Sequence, residues 1–449
     1  MRIVIGGEGE VAYRLAQALM EEHEVVLICS DDLREARLER LDVEIVPGSL
    51  TAGESLRNAQ IDRSAVFIAC SQSDERNMVG CVVAKRLGVP RTICFLFRRS
   101  FQSSQDETDD LAESLGIDTV VRPPERLAEE ILHVVSVPGA LDVRHFAQGR
   151  VRLVRHPVEE GARITKAPLK EVDLPKGVVL VKVIREEKVI IPVGDTQLRN
   201  GDQVVAMGNL VGINRLLFRF LRPRSRKADP RRATIIGGGL VGLAIAKDLE
   251  AAGWTLKVVE ANSKRAEEIS SQLQALVLQG DGADPTLLEE EGVYRDSVLI
   301  AVTSNDEKNL LISLLGKHMG IPRTITRADS LVNEILFEKV GVDVVRSSQG
   351  AAISAVVRNV SAGGAENVAE LEHGDAVVMD LAIPEDHQAC ELFKLQPPSS
   401  ARIGAILRGR SVIIPHGLDV VKAGDRILVF CRREEETGVR EYFENLGEG

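Results

Sequence analysis

The sequence runs to 449 residues with a net charge of −11 at pH 7, 44% hydrophobic and 27% charged. That length suffices for about three or four domains with cores of their own, and the acidic balance argues against nucleic acid as a partner. No stretch approaches the roughly 18 consecutive apolar residues of a membrane-crossing helix. The six cysteines, at 29, 70, 81, 94, 390 and 431, have no metal-binding spacing and read as reduced core thiols of a cytosolic protein.

Met1 leads directly into a β-rich run, without the long apolar core and cleavage site of a secretion signal. Arg2 to Ile5 predicts a strand, Gly7-x-Gly9-x-x-Ala12 a tight turn into a helix ending near Met20, and Val25 to Cys29 a second strand. In such a unit a diphosphate rests on the turn, so Gly7, Gly9, Glu10 and Val11 are candidate contacts. Ser30 stands where an acid is expected. With Arg34 it hints at a 2′-phosphate pocket, but Asp31 and Asp32 oppose that, so the site reads as degraded or altered. Phe67 to Cys70 is a buried strand running into Ser71 and an acidic helix start, Asp74-Glu75. The hydroxyl and the aspartate can cap free N–H groups there, and Ser71 also borders the ligand crevice.

From Val151 to Gly208 the pattern changes to short β-rich runs, Val178 to Ile184, Val189 to Pro192 and Val204 to Met207, with Gly194-Asp195 and Gly201-Asp202 as turns. Arg222 to Arg232 (RPRSRKADPRR) is basic, without interleaved aromatics, and reads as a solvated linker.

The stretch Ala233 to Glu260 organises the rest. Ala233 to Ile236 is a strand, Gly237-x-Gly239-x-x-Gly242 opens a helix continuing through Leu243 to Leu249, and Trp254 to Val259 is a second strand ending on Glu260. Gly237 permits the turn, Gly239 lets the backbone approach a pyrophosphate, and Gly242 lets helix pack on strand. The helix N-terminus, with Leu240 and Val241, faces the phosphates. Glu260 can accept hydrogen bonds from ribose hydroxyls and would repel a 2′-phosphate, which favours NAD(H) or an adenine nucleotide over NADP.

The first stretch recurs here at an offset of 230, from Gly7 to Gly237, and Leu87-Gly-Val-Pro-Arg-Thr-Ile93 returns as Met319-Gly-Ile-Pro-Arg-Thr-Ile325. The second copy keeps polar equipment that the first lacks: Gly280-Asp281 against Gly48-Ser49, and Arg327 against Phe95. Leu299 to Val302, with Thr303, Ser304 and Asp306-Glu307, repeats the strand with its acidic helix start. Asp306-Glu307 reads as a helix cap before a divalent-ion site. Ile403 to Leu407, Val412 to Pro415, Gly424-Asp425 and Ile427 to Phe430 repeat the small β-rich unit at an offset of 223. The fold class is therefore α/β: two Rossmann-like parallel-sheet domains, each followed by a small α+β lobe.

Taken together, Gly237-Gly-Gly239-x-x-Gly242, Glu260, Gly280-Asp281, Ala301-Val302-Thr303-Ser-Asn-Asp306-Glu307, Gly177 to Ile184, Ile191-Pro192, Gly194-Asp195, Gly201-Asp202 and Pro138-Gly139-Ala140-Leu141 resemble the TrkA-type regulatory subunits of Trk potassium-uptake systems over essentially the whole chain. These carry two tandem RCK (regulator of potassium conductance) units, each with an N-lobe and a C-lobe. The resemblance implies N-lobes at 1–135 and 233–358, C-lobes at 136–222 and 359–449, and a linker at 223–232. It also implies NAD(H) or ATP/ADP as effector, a TrkH-type potassium channel subunit as partner, and a tetrameric homo-oligomer on the inner face of the membrane. Carried-over ligand contacts are Gly237, Gly239, Leu240, Val241, Gly242, Glu260, Asp281, Thr303, Ser304 and Arg327, with Gly7, Gly9, Glu10, Val11, Ser30 and Ser71 in the first copy.

The alternatives are a regulator of another cation channel or antiporter, and an NAD-dependent dehydrogenase. The second needs an acid/base His or Lys beside the cofactor. The eight histidines form no such constellation and read as surface or capping residues. Nothing in the C-lobe residues demands a second effector.

Overall fold

The computed structural model describes residues 1–30, 40–97, 111–186, 188–223, 231–361, 369–371, 376–415 and 418–446. Asp31, Asp32, Arg34, His416 and residues 224–230 of the basic linker lie outside them.

The first unit comprises β1 (Arg2–Gly6), α1 (Glu10–Leu19), β2 (Glu24–Cys29), β3 (Glu44–Pro47), α2 (Gly53–Asn58), β4 (Val66–Ala69), α3 (Asp74–Arg86), β5 (Arg91–Phe95) and β6 (Thr119–Val121), followed by α4 (Pro123–Val135). Its strands are parallel, in the order β3-β2-β1-β4-β5-β6. They are rich in Val and Ile on successive positions because helices cover both faces of a parallel sheet. A small antiparallel lobe follows: β7 (Asp142–Phe146), β8 (Val151–Pro157), β9 (Val178–Arg185), β10 (Lys188–Ile190), β11 (Gln203–Gly208) and α5 (Leu210–Leu216), ordered β10-β9-β11-β8-β7.

The second half repeats the plan. Its parallel unit is β12 (Arg232–Ile236), α6 (Leu240–Ala251), β13 (Thr255–Glu260), α7 (Ser263–Ser270), β14 (Leu276–Gln279), α8 (Pro285–Glu290), β15 (Val298–Ala301), α9 (Asp306–His318), β16 (Thr324–Arg327), α10 (Leu331–Val340), β17 (Val344–Arg346) and α11 (Ser348–Ser361). The strand order is β14-β13-β12-β15-β16-β17, all parallel. The last lobe contains β18 (Ala369–Leu371), β19 (Ala376–Ala382), β20 (Cys390–Glu391), β21 (Arg402–Arg408), β22 (Ser411–Ile413), β23 (Val420–Val421), β24 (Arg426–Arg432) and α12 (Glu436–Glu444), with the main sheet ordered β18-β19-β24-β21-β22.

The halves are not two beads. Helix α4 buries Leu127, Ala128, Ile131, Val134 and Val135 in the core of the second parallel sheet, among Ile235, Ile245, Val258 and Ile300. Helix α11 buries Ala352, Ile353, Val356 and Val360 in the core of the first, among Ile5, Leu15, Leu27 and Ile68. Each parallel sheet is thus roofed on one face by a helix from the other half. The small lobes meet as well: Phe146, Leu153, Val181 and Met207 pack against Val378, Ala405, Leu428 and Phe430.

The Gly-Asp repeats are turns, with Gly201 at φ 84° and Gly424 at φ 72°, where glycine alone is unstrained. They also anchor the lobes. Asp202 accepts two bonds from Arg185 at 2.8 and 2.7 Å, and Asp425 two from Arg408 at 2.8 Å each. One reading is corrected: His156 is neither surface nor cap. It is 1% exposed, its ring nitrogens face the Pro157 and Pro138 carbonyls, to one of which the neutral ring can donate, and burial pushes its pKa down to about 4.

Candidate functional site

The second crevice is built at the carboxyl ends of β12, β13 and β15. Gly237 takes φ 107°, and a Cβ there would press on the Val302 carbonyl and the Thr303 nitrogen at 3.1 Å. A Cβ on Gly242 would overlap the Gly237 carbonyl oxygen, whereas one on Gly239 would meet nothing within 4 Å. The backbone at Gly239 therefore lies open to a ligand. Helix α6 starts there without a side-chain cap, so N–H groups of its first turn are free to receive an anion. Val241 is buried and can offer only its backbone, while Leu240 is half-buried.

Glu260 is held beneath this turn. Its Oε2 accepts the Gly238 N–H at 2.7 Å and its Oε1 accepts the Asn262 N–H at 2.8 Å. Two backbone donors fix the carboxylate and leave lone pairs on both oxygens, which suits a ribose diol. Arg265 donates from Nε to the Gly238 carbonyl at 2.8 Å, which places a cation against the turn that the sequence reading did not single out. Asp281 bonds the Ala283 N–H and pairs with Lys308 at 2.8 Å, and that ammonium, with the backbone donor, lowers its pKa.

Thr303 and Ser71 play the same part in both halves. Each hydroxyl accepts the N–H of the residue that opens the following helix, Asn305 at 3.3 Å and Ser73 at 3.4 Å, as the capping reading expects, and each also bonds a buried asparagine. The Thr303 hydroxyl donates to Asn309 Oδ1 at 2.6 Å, and the Ser71 hydroxyl to Asn77 Oδ1 at 2.7 Å. Each asparagine is fully buried and ties two strand ends together: Asn309 Nδ2 reaches the Thr303 and Arg327 carbonyls, Asn77 Nδ2 those of Ser71 and Phe95. The helix caps are Asn305 and Ser73. Asp306 and Asp74 instead bond the Asp329 and Phe97 N–H groups across the crevice floor. Asn77 and Asn309 fell at matching positions of the repeat, which was the available signal for their role. Arg327 donates to Asp329 through Nε and Nη2, at 3.0 and 2.5 Å.

Ser304 opens onto a cavity of about 460 Å³ between the halves, with Asp306, Asp329 and Gln349 on one side and Glu10, from the first turn of α1, on the other. Two residues assigned to separate sites thus share one cavity. In the first crevice Gly9 takes φ 83° and opens α1 without a side-chain cap. Gly7 is packed on Cys70, Val11 is buried, and Ser30 sits half-buried at the end of β2. Phe95, fully buried, takes the place of Arg327.

Comparison with known proteins gives the family and the fold. The TrkA-N domain matches residues 3–123 and 233–348, and the TrkA-C domain residues 153–220. The Trk system potassium uptake protein TrkA homolog of Archaeoglobus fulgidus is 33% identical over 445 residues, covering 99% of this chain and 100% of that protein. The Haemophilus influenzae protein TrkA is 29% identical over 449 residues, covering 96% and 95% of the two chains. Among solved structures, the GsuK RCK domain superposes with a TM-score of 0.60 at 19% identity, covering 99% of this chain and 95% of that one. The GsuK channel bound to NAD gives 0.59 at 18%, covering 99% and 79%. With two glycine-turn crevices on doubly wound sheets and full-length identity of this order, the chain belongs to the TrkA family of Trk potassium-uptake proteins.

Proposed function

We propose that the chain is the nucleotide-sensing regulatory subunit of a Trk-type potassium channel, taking NAD(H) or ATP/ADP in the second crevice and passing the bound state to a TrkH-type membrane subunit. The observation that carries this is the Glu260 carboxylate, fixed under an uncapped glycine turn by the Gly238 N–H. Diphosphate on the helix opening and ribose on the acid are the two recognitions such a crevice offers. The ligand contacts proposed are Gly237, Gly239, Leu240, Val241, Gly242, Glu260 and Asp281, with Thr303, Ser304 and Arg327 at the β15 and β16 ends. The role is binding, not turnover. A ligand shifts the balance between two arrangements of the lobes by its differential affinity for them.

No helix among the described residues is long and apolar enough to cross a membrane, so action on the pore goes through a membrane partner at its inner face. Self-association is supported by a repeated surface. Val79, Leu111 and Leu115 stand exposed in the first half, and Leu311, Leu336 and Val340 at corresponding positions in the second. Exposed apolar side chains at matching positions of both halves, outside the helices that roof the opposite sheet, suit a closed ring of copies, four in this reading.

Calorimetric titration of the full chain with NADH and ADP, repeated on Gly239→Asp, tests the reading. Binding by the native chain that is lost in the variant is expected. Undiminished binding in Gly239→Asp would overturn the site, and no association of any adenine nucleotide would overturn the function.

A further inference from the structure

The two crevices differ in one pair of positions that the glycine fingerprint ignores. In the second half the residue between the first two glycines is Gly238. A Cβ there would lie 2.6 Å from Ile269 Cδ1 and 3.1 Å from Glu260 Oε2, so a side chain in the turn would crowd the acid at the strand end. The first half makes the opposite choice, with Glu8 in the turn and Ser30 at the end of β2. The acid has changed places.

Where the Glu8 carboxylate goes decides what this means. Its Oε1 accepts a bond from Arg76 Nη1 at 2.9 Å, and the Glu8 side chain is 11% exposed. Arg76 lies in the first turn of α3, so the pair bridges the loop after β1 and the loop after β4, across the line a diphosphate follows. The carboxylate lies on the β4 side: Cys70, at the end of that strand, is held protonated by burial first and by the Glu8 charge second. The other oxygen, Oε2, is buried with no hydrogen-bond partner. In the second half Lys308 stands in the place of Arg76, and it turns away to Asp281.

We propose that the Glu8–Arg76 pair is a built-in strut that closes the first crevice to dinucleotides and nucleoside diphosphates, so that each chain takes one nucleotide, in its second half. The strut holds the β1 and β4 loops together as a bound diphosphate would, and does so with or without ligand. A phosphate entering the first crevice would meet a buried carboxylate, and the arginine that might have neutralised it is already taken. One half is fixed and the other senses. This rests on the second crevice being the nucleotide site, and the test separates the two.

The test is calorimetric titration with NADH and with ADP of four full-length chains: native, Gly239→Asp, Glu8→Gly/Ser30→Glu, and all three substitutions together. Melting curves verify that each is folded. The exchange variant gives the first half the turn and acid of the second. One site per chain is expected in the native protein, none in Gly239→Asp, two in the exchange variant and one in the triple variant, with affinity in the first half raised at least a hundredfold. Binding that survives in Gly239→Asp with Glu8 intact would show the first crevice already open and overturn the proposal. A folded triple variant that binds nothing would overturn it too. If the native chain binds no nucleotide, the functional reading fails, and the proposal then stands or falls on whether the exchange variant gains a site.

Discussion

Gly239 and Gly242, three positions apart, do opposite work. A methyl at 242 would overlap the Gly237 carbonyl, while one at 239 meets open space, and Gly239 has φ −66°, which any residue tolerates. Gly242→Ala is therefore expected to destabilise the protein by about 2–4 kcal/mol as α6 is forced off β12. Gly239→Ala should leave stability within about 0.5 kcal/mol yet weaken nucleotide binding at least tenfold, because the ligand is what occupies that space. Urea denaturation and nucleotide titration on both variants check the dissociation. Glu334, on α10, is 8% exposed, and burial pushes its pKa up to about 7 against the attraction of Arg14 on α1 and Arg346 on β17. Between about pH 4.5 and 7 the folded chain holds a proton here that the unfolded chain has released. Stability from this group is full below that window and lost as pH rises through it, by about 3 kcal/mol. Glu334→Gln should remove the loss, so its melting temperature gains on the native protein at pH 8 relative to pH 5. An equal difference at both pH values would contradict this.

At the scale of elements, the exchanged helices are held by the repeated Pro-Arg-Thr motif. Arg323 is 8% exposed and donates to the carbonyls of Val134, Val137 and Ala140, at the end of α4 and the turn beyond it. Arg91, its counterpart, donates to Asn359 on α11. A guanidinium suits three converging carbonyls at a helix C-terminus, where a lysine has a single point charge to offer. Arg323→Ala is expected to cost about 2–4 kcal/mol, and Arg323→Lys to recover less than half, both measured by denaturant midpoint. The motif was plain in the sequence as a repeat, but its work was not, because its partners lie more than 180 positions away. Strands, glycine turns and their order could be read because each depends on neighbours in the chain. The buried Asn77 and Asn309 did not stand out in the sequence, since a polar residue looks the same there whether it caps a turn or clamps two strands.

At the scale of the molecule, exchange makes each half incomplete. Residues 1–222 alone would expose the face of the first sheet that α11 covers, together with the apolar stripe of α4. That fragment is expected to form a helix-exchanged dimer or to aggregate, never a folded monomer, while co-expressed 1–226 and 227–449 should co-purify as one particle. Light scattering after size-exclusion chromatography reads both, and a stable monomer of the first half would contradict the exchange. The amino-acid sequence determined the parallel strands, the duplication, the glycine turns and the acid at Glu260, because apolar period, turn chemistry and helix openings are local properties of the chain. Only the tertiary structure decided which helix roofs which sheet, that Glu10 and Ser304 share a cavity, and that Glu8 reaches Arg76. Those follow from packing between surfaces distant in sequence, where many apolar faces are equally suitable and only the assembled shape selects one.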